Sequence, residues 1–229
     1  IDNYSSGFKS NEINNVEYLN CDIEDITKID GNKFDVCFHL AAQSLVRTSY
    51  IEPIATFNTN VLGSVNLLES FRALSNIRVV LMITTDKVYK TLESPRPFVE
   101  GDALGGHDPY SASKACSEIV ITAYRDSFLR SQGVNLATAR AGNVIGGGDW
   151  AKDRLVPDAI RAWEFGEALA VRNPEAIRPW QHVLEPLSGY LILAQSLWSD
   201  SRLAGAYNFG PNKEDLSSVR DVVQLMCDH

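Results

Sequence analysis

Tyr110 and Lys114 stand four residues apart in Tyr110-Ser111-Ala112-Ser113-Lys114, and Thr84-Thr85-Asp86-Lys87 closes an apolar run upstream. On a helix, residues spaced by four share one face. An ammonium held near a phenol favours the phenolate and lowers the tyrosine pKa from its reference near ~10. Tyr110 would then accept a proton from a substrate hydroxyl. In a chain with eight tyrosines, the spacing alone also fits an exposed Tyr and Lys on a solvated helix face.

The elements that must position these residues alternate between strand and helix. Phe34–Leu40 reads as a buried strand after a Gly31-Asn32 turn signal, Ile77–Thr84 as a central strand, and Val134–Ala139 as a third. Pro53–Leu74 has helical spacing through Val61, Val65, Leu68 and Phe71, and further helices are expected over Val183–Trp198 and from Ser218 onward. The helix bearing the Tyr–Lys pair should open with Asp108 as N-cap and Pro109 in its first turn. Its apolar stripe reads as Ala112, Ala115, Cys116, Ile119, Val120 and Ala123, leaving Tyr110 and Lys114 on another face. Such alternation predicts an α/β fold with a doubly wound parallel sheet, whose ligands bind beyond the carboxyl ends of the strands. Three polar clusters fall at such ends: Ala41-Ala42-Gln43, Thr84-Thr85-Asp86-Lys87 and Ala141-Gly142-Asn143.

The chain has 229 residues, 45% of them hydrophobic, which suffices for one large domain or a domain plus a small lobe. A net charge of −8 argues against a broad nucleic-acid surface. No apolar run approaches the ~18 residues of a membrane span. No basic-then-apolar start resembles a signal peptide, so a cytoplasmic location is expected. Cys21, Cys37, Cys116 and Cys227 are scattered, with no metal spacing to the four histidines. Cys37 and Cys116 read as buried free thiols. No metal site is expected. Asp2-Asn3 reads as the end of a strand and Cys227-Asp228-His229 as lying inside a helical pattern, so both ends are expected to continue in a longer protein.

Five stretches together resemble the extended short-chain dehydrogenase/reductases, in their branch of nucleotide-sugar epimerases and dehydratases. They are His39-Leu40-Ala41-Ala42-Gln43, Asn58-Thr59-Asn60-Val61-Leu62-Gly63-Ser64, Thr84-Thr85-Asp86-Lys87-Val88-Tyr89, Tyr110-Ser111-Ala112-Ser113-Lys114 and Ala139-Arg140-Ala141-Gly142-Asn143-Val144. Within the branch, Lys87, Gly142–Trp150 and Arg178-Pro179-Trp180-Gln181-His182-Val183 are similar to the CDP-glucose 4,6-dehydratase group; the dTDP-glucose enzymes carry Glu where Lys87 stands. The opening Asp2–Gly7 looks more like the epimerases.

The resemblance implies a Rossmann-like NAD-binding domain over 1–144, its first βα unit and glycine-rich loop preceding Ile1. A smaller substrate-binding lobe would occupy 145–229, with a strand near 206–209 returning to the main sheet. It implies NAD as cofactor, contacted by Asp2, Asp22, Ile23, Leu40, Ala41, Ala42, Gln43, Asn60, Thr84, Tyr110 and Lys114. Asp2 and Asp22 also fit, respectively, a turn aspartate and a solvated acid. A nucleotide-sugar substrate would meet Gln43, Asn143, Arg154 and Arg178, the last pairing with phosphate oxygens. Thr85, Asp86, Lys87, Tyr110 and Lys114 would be catalytic, with Lys87 as the base at C5 and Asp86 as the acid at the C6 hydroxyl. A homodimer built through two helices per subunit, one of them the Tyr–Lys helix, is also implied. Two other readings remain: a nucleotide-sugar 4-epimerase, needing only Tyr110, Lys114 and Thr85, and a non-catalytic dinucleotide-binding regulator.

Overall fold

The structure, a computed structural model, describes residues 13–28, 33–74, 76–91 and 96–228. In chain order the elements begin with β1 (Val36–His39), α1 (Val46–Ile51), α2 (Pro53–Phe57), a π-helical turn at Asn58–Leu62 and α3 (Gly63–Arg72). Then come β2 (Val79–Thr85), α4 (Pro109–Ser127), β3 (Asn135–Ala141), β4 (Asn143–Ile145) and α5 (Leu155–Glu164). The chain closes with β5 (Ile177–Arg178), β6 (Trp180–His182), α6 (Leu184–Ser199), β7 (Ala206–Phe209), β8 (Ser217–Ser218) and α7 (Val219–Cys227).

The contacts divide the chain into two compact units. One comprises Glu17–Ala141 with Ser188–Phe209; the other comprises Gly142–Leu187 with the chain from Gly210 onward. In the first, β1, β2, β3 and β7 form a parallel sheet in the order β1-β2-β3-β7. Val80 and Met82 of β2 and Leu136 of β3 pack with Leu67, Leu68 and Phe71 of α3 and Ile121 of α4. Val79 and Leu81 point the other way and are equally inaccessible. Both faces are therefore covered, which is why β2 reads as one continuous apolar run. This is the parallel α/β arrangement expected from the alternation, and the Rossmann-like one that the resemblance implies. In the second unit, β4 pairs in parallel with β6, and β5 pairs antiparallel with β8. The last helix, α7, opens on a capping box between Ser218 and Asp221.

Strand parity also sets the polar interior. Thr84 shares the face of Val80 and Met82, and Thr138 and Arg140 share the face of Leu136. All three side chains thus look toward α4 near the carboxyl end of the sheet. The apolar stripe expected on α4 is accordingly right only at Ala115 and Val120, the latter packing part-buried on the core. Cys116, Ile119 and Ala123 are exposed, and the inward face otherwise carries Tyr110, Ser111, Ser113, Lys114, Ser117, Glu118 and Ile121. Polar side chains can occupy it because each meets a partner there, a property that hydrophobic spacing does not register. Cys116 is therefore an exposed thiol, not a buried one. Cys37 is largely enclosed in β1, and burial pushes its thiol up to about 12. The strand expected over Phe34–Leu40 is shorter, with Phe34 and Leu40 both exposed outside its ends. Among the described residues, no helix is long and apolar enough to cross a membrane.

Candidate active site

Asp108 caps α4: its carboxylate accepts from the Ser111 backbone N–H at 2.9 Å and the Ser111 hydroxyl at 2.6 Å. Pro109 takes the first turn, where its missing N–H costs nothing. Gly106 is obligatory here, since a Cβ would lie 2.2 Å from the Ser111 carbonyl carbon. One hydroxyl from α1, Ser49 Oγ, accepts the Tyr110 backbone N–H at 3.1 Å. These contacts fix the first turn of α4 and therefore the place of Tyr110, itself a buried residue.

Lys114 lies one turn further on the same face and is 6% exposed. Its Nζ donates to the Ile83 carbonyl of β2 at 3.2 Å. Burial disfavours the charged form and lowers the Lys114 pKa to about 8, while the charge of Glu118 acts in the opposite sense. His39, buried at the end of β1, is driven down to about 3, first by burial and then by the Lys114 charge. The imidazole therefore stays neutral at physiological pH.

Beyond β2 the chain enters a single 3-10 turn, Asp86–Val88, capped by Thr85. Alpha-four packs against this turn, with Ala115 touching the Val88–Tyr89 cluster, so the segment after β2 lies beside the Tyr–Lys helix. Asp86 Oδ1 accepts from Thr85 Oγ1 at 3.1 Å and from Lys87 Nζ at 3.2 Å. The structure thus brings Thr85, Asp86, Lys87, Tyr110 and Lys114 to one edge of the sheet.

The other expected residues have the following surroundings. Asn60, projected from the π-helical turn, accepts the Gln43 N–H at 2.9 Å and donates to the Gln43 carbonyl at 3.0 Å and to Ser113 Oγ at 2.8 Å. It ties the loop after β1 to α4. The Gln43 side chain is spent on Thr56 Oγ1, the Leu45 carbonyl and the Leu45 N–H. Leu40 and Ala41 are exposed, and Ala42 is half-buried. The Thr84 hydroxyl is directed at Glu118, 2.5 Å away. Ile23 packs on Gly63 at the start of a 3-10 turn, Ile23–Lys28, that follows Asp22. Asp2 lies outside the described residues. In the second unit, the Asn143 Oδ1 is buried with no hydrogen-bond partner among the described residues. Arg154 Nε lies 3.7 Å from Asp149 Oδ2, and Arg178 is exposed, its guanidinium folding back on the Ile177 carbonyl.

Sequence reasoning missed the group beneath the site. Glu118 is 1% exposed and accepts four hydrogen bonds: from Thr84, from Thr138 Oγ1 at 2.9 Å, and from Arg140 Nε and Nη2 at 3.0 and 2.8 Å. Arg140 Nη1 reaches Tyr89 Oη at 2.8 Å and the Glu100 carbonyl at 3.0 Å. Burial alone would push the Arg140 guanidinium down, but the hydrogen bonds and charge of Glu118 hold it above its ordinary value. The available signal was the eight-residue spacing from Tyr110 to Glu118, two helical turns along one face.

Known proteins resemble this chain in sequence and in fold. The chain is 48% identical over 215 residues to the CDP-glucose 4,6-dehydratase of Salmonella typhimurium, covering 90% of this chain and 60% of that protein. It is 31% identical over 202 residues to a dTDP-glucose 4,6-dehydratase of Xanthomonas campestris, covering 84% and 54%. Its fold superimposes with a TM-score of 0.78 on DesIV, a dTDP-glucose 4,6-dehydratase of Streptomyces venezuelae solved with NAD bound, at 25% identity and covering 92% and 62%. The chain therefore spans about 60% of the length of such relatives. A family model described as GDP-mannose 4,6 dehydratase matches residues 1–224. The chain belongs to that family.

Proposed function

We propose that this chain carries the catalytic groups for NAD-dependent 4,6-dehydration of a nucleotide-activated hexose, with CDP-glucose giving CDP-4-keto-6-deoxyglucose. The observation that carries the reading is the buried Tyr110–Lys114 pair packed beside the Thr85-Asp86-Lys87 turn. The 48% identity to a CDP-glucose 4,6-dehydratase supports the substrate.

The residues present fit a dinucleotide. Lys114 has one protein acceptor among the described residues, the Ile83 carbonyl, and an ammonium has three hydrogens. The two others suit the hydroxyls of a ribose. The small side chains of Ala41 and Ala42 leave the backbone after β1 open to close approach. When bound, the dinucleotide supplies a reversible hydride acceptor, so that hydride leaving C4 of the sugar returns at C6. Tyr110 takes the C4 hydroxyl proton, its phenolate favoured by the Lys114 charge, while Thr85 helps to hold that hydroxyl. The resulting ketone acidifies the C5 proton. Lys87, when neutral, removes it, and Asp86, when protonated, delivers a proton to the departing C6 hydroxyl. One proton moved from Lys87 Nζ to Asp86 Oδ1 creates both states at once, and these atoms are 3.2 Å apart. A 4-epimerase has no C6 leaving group and no use for this pair.

In the second unit, the Asn143 oxygen, unpartnered among the described residues, suits a donor on the nucleotide sugar, and Arg154 and Arg178 suit its phosphates. We also propose a homodimer. Ile119 of α4 (60% exposed), Leu62 of the π-helical turn and Ile54 of α2 are large apolar side chains left on the surface.

Incubating the protein with CDP-glucose and NAD and weighing the product tests the reading. Dehydration gives a product lighter by one water; epimerisation gives an isomer of unchanged mass. Replacing Lys87 by Ala should lower the dehydration rate by about 10²-fold or more; an intact rate would remove Lys87 from the C5 step.

A further inference from the structure

Asp86 and Lys87 extend from a single 3-10 turn, and both side chains are partly open to solvent. Among the described residues, the hydrogen bonds of these side chains go to Thr85 and to each other. Their place is therefore set by the backbone of the turn. Upstream, β2 fixes that backbone, with Thr85 paired to Ala141 of β3. Downstream, the next two residues fix it. Val88 is inaccessible, and its carbonyl accepts the Gly105 N–H at 2.8 Å. Tyr89, the C-cap of the turn, is buried, forms an antiparallel bridge with Leu104 and stacks on Phe98 with ring centroids 4.6 Å apart. A phenylalanine ring would serve that stack equally well. The hydroxyl reaches further: it donates to Asn208 Oδ1 of β7 at 2.5 Å and accepts from Arg140 Nη1 of β3 at 2.8 Å. Both of its hydrogen-bonding roles are used, as a buried hydroxyl requires. Arg140 also donates to the Glu100 carbonyl and Asn208 to the Phe98 carbonyl, so the same two side chains hold the segment on which Tyr89 stacks. Arg140 Nε and Nη2 in turn bond Glu118 of α4. An unbroken series of hydrogen bonds thus runs from the Tyr–Lys helix to the residue that ends the Asp86–Lys87 turn.

We propose that Tyr89 is a positioning residue of the elimination step: its hydroxyl, held between Arg140 and Asn208, fixes the turn that carries Asp86 and Lys87. This rests on the dehydratase reading above. In that step the C5–H and C6–O bonds break and a C5=C6 double bond forms. The C5 proton goes to Lys87, and the C6 hydroxyl departs as water with the proton of Asp86. The oxidation at C4 that precedes it uses Tyr110 and Lys114, which have other anchors: Ser49 holds the Tyr110 N–H and the Ile83 carbonyl holds the Lys114 ammonium. Loss of the Tyr89 hydroxyl should therefore slow the second step and spare the first.

The test compares Tyr89→Phe with the unaltered full chain in two measurements. The first, backbone amide hydrogen exchange read by NMR, requires no turnover. The Lys90 and Gly105 amides, which bond across the end of the turn, should exchange on the order of tenfold faster in Tyr89→Phe, while the Ala112 amide of α4 keeps its rate. The second mixes the protein with CDP-glucose and NAD and follows reduced nicotinamide by its absorbance. Oxidation at C4 continues in Tyr89→Phe while elimination lags, so reduced cofactor should accumulate well beyond its level in the unaltered protein. The kcat should fall by about 10- to 10²-fold with KM nearly unchanged. A general loosening of the fold would slow both steps and accumulate none. Tyr110→Phe, which blocks the first step, should also accumulate none. Asn208→Ala removes one of the two partners of the hydroxyl and should give the same pattern in weaker form; it decides the matter if Tyr89→Phe does not fold. An unaltered chain that removes no water from CDP-glucose overturns the dehydratase reading and the elimination role together. An active chain whose Tyr89→Phe form shows unchanged exchange at Lys90 and Gly105, or is slowed with no reduced cofactor, overturns the Tyr89 proposal alone.

Discussion

Burial of the Lys114 ammonium opposes folding and, in the proposed reaction, serves chemistry. Its folded pKa, about 8, lies below the ordinary lysine value, so the unfolded chain binds the proton more tightly. The penalty is complete below pH 8 and is relieved as pH rises toward the unfolded value near ~10.4, a span of about 3 kcal/mol. Lys114→Met should therefore raise the thermal midpoint at pH 7 while abolishing turnover, measured by calorimetry and product assay on one preparation. The same titration predicts the alkaline behaviour of the enzyme. As pH passes about 8, Lys114 loses its charge, the support for the Tyr110 phenolate goes with it, and kcat should decline. A kcat flat to pH 9.5 would contradict this. Tyr110→Phe removes the proton acceptor and should cost about 10²–10⁴-fold in kcat, with the far-UV spectrum unchanged.

The elements determine how accurately those residues are placed. Asp108 bonds two groups of Ser111 at the start of α4, and Asp108→Ala should destabilise the protein by about 1 kcal/mol in urea titration. Gly106→Ala should be worse, because its new Cβ would overlap backbone rather than a movable side chain. Much of this architecture was legible beforehand. The run Val79–Ile83 announces a strand buried on both faces, and the Asp108-Pro109 cap announces the start of α4. The inward face of α4 was not legible, because Ser113, Lys114, Ser117 and Glu118 are buried by virtue of their partners rather than their hydrophobicity. Those partners come from β2, β3 and the π-helical turn, distant in sequence. Asn60 shows the same limit. Its side chain bonds the Gln43 backbone and Ser113 of α4, partners that its motif does not reveal. A π turn is a rare local geometry, and no residue in Asn58–Leu62 signals it.

In the molecule as a whole, burial separates the polar interior from large apolar side chains left at the surface. The first unit spends its polar interior on the Tyr–Lys edge and leaves Ile54, Leu62 and Ile119 on the surface. If those side chains meet a second copy, Ile119→Glu should convert the dimer to monomer in sedimentation velocity without unfolding the chain. The second unit carries Asn143, Arg154 and Arg178, the residues proposed for the nucleotide sugar. The chemistry proposed for the first unit requires that the chain dehydrate a sugar nucleotide. The mass of the product formed from CDP-glucose in the presence of NAD measures this most directly. A product lighter by one water, lost on Tyr110→Phe, is the predicted result; an unreacted substrate or a product of unchanged mass would contradict the account.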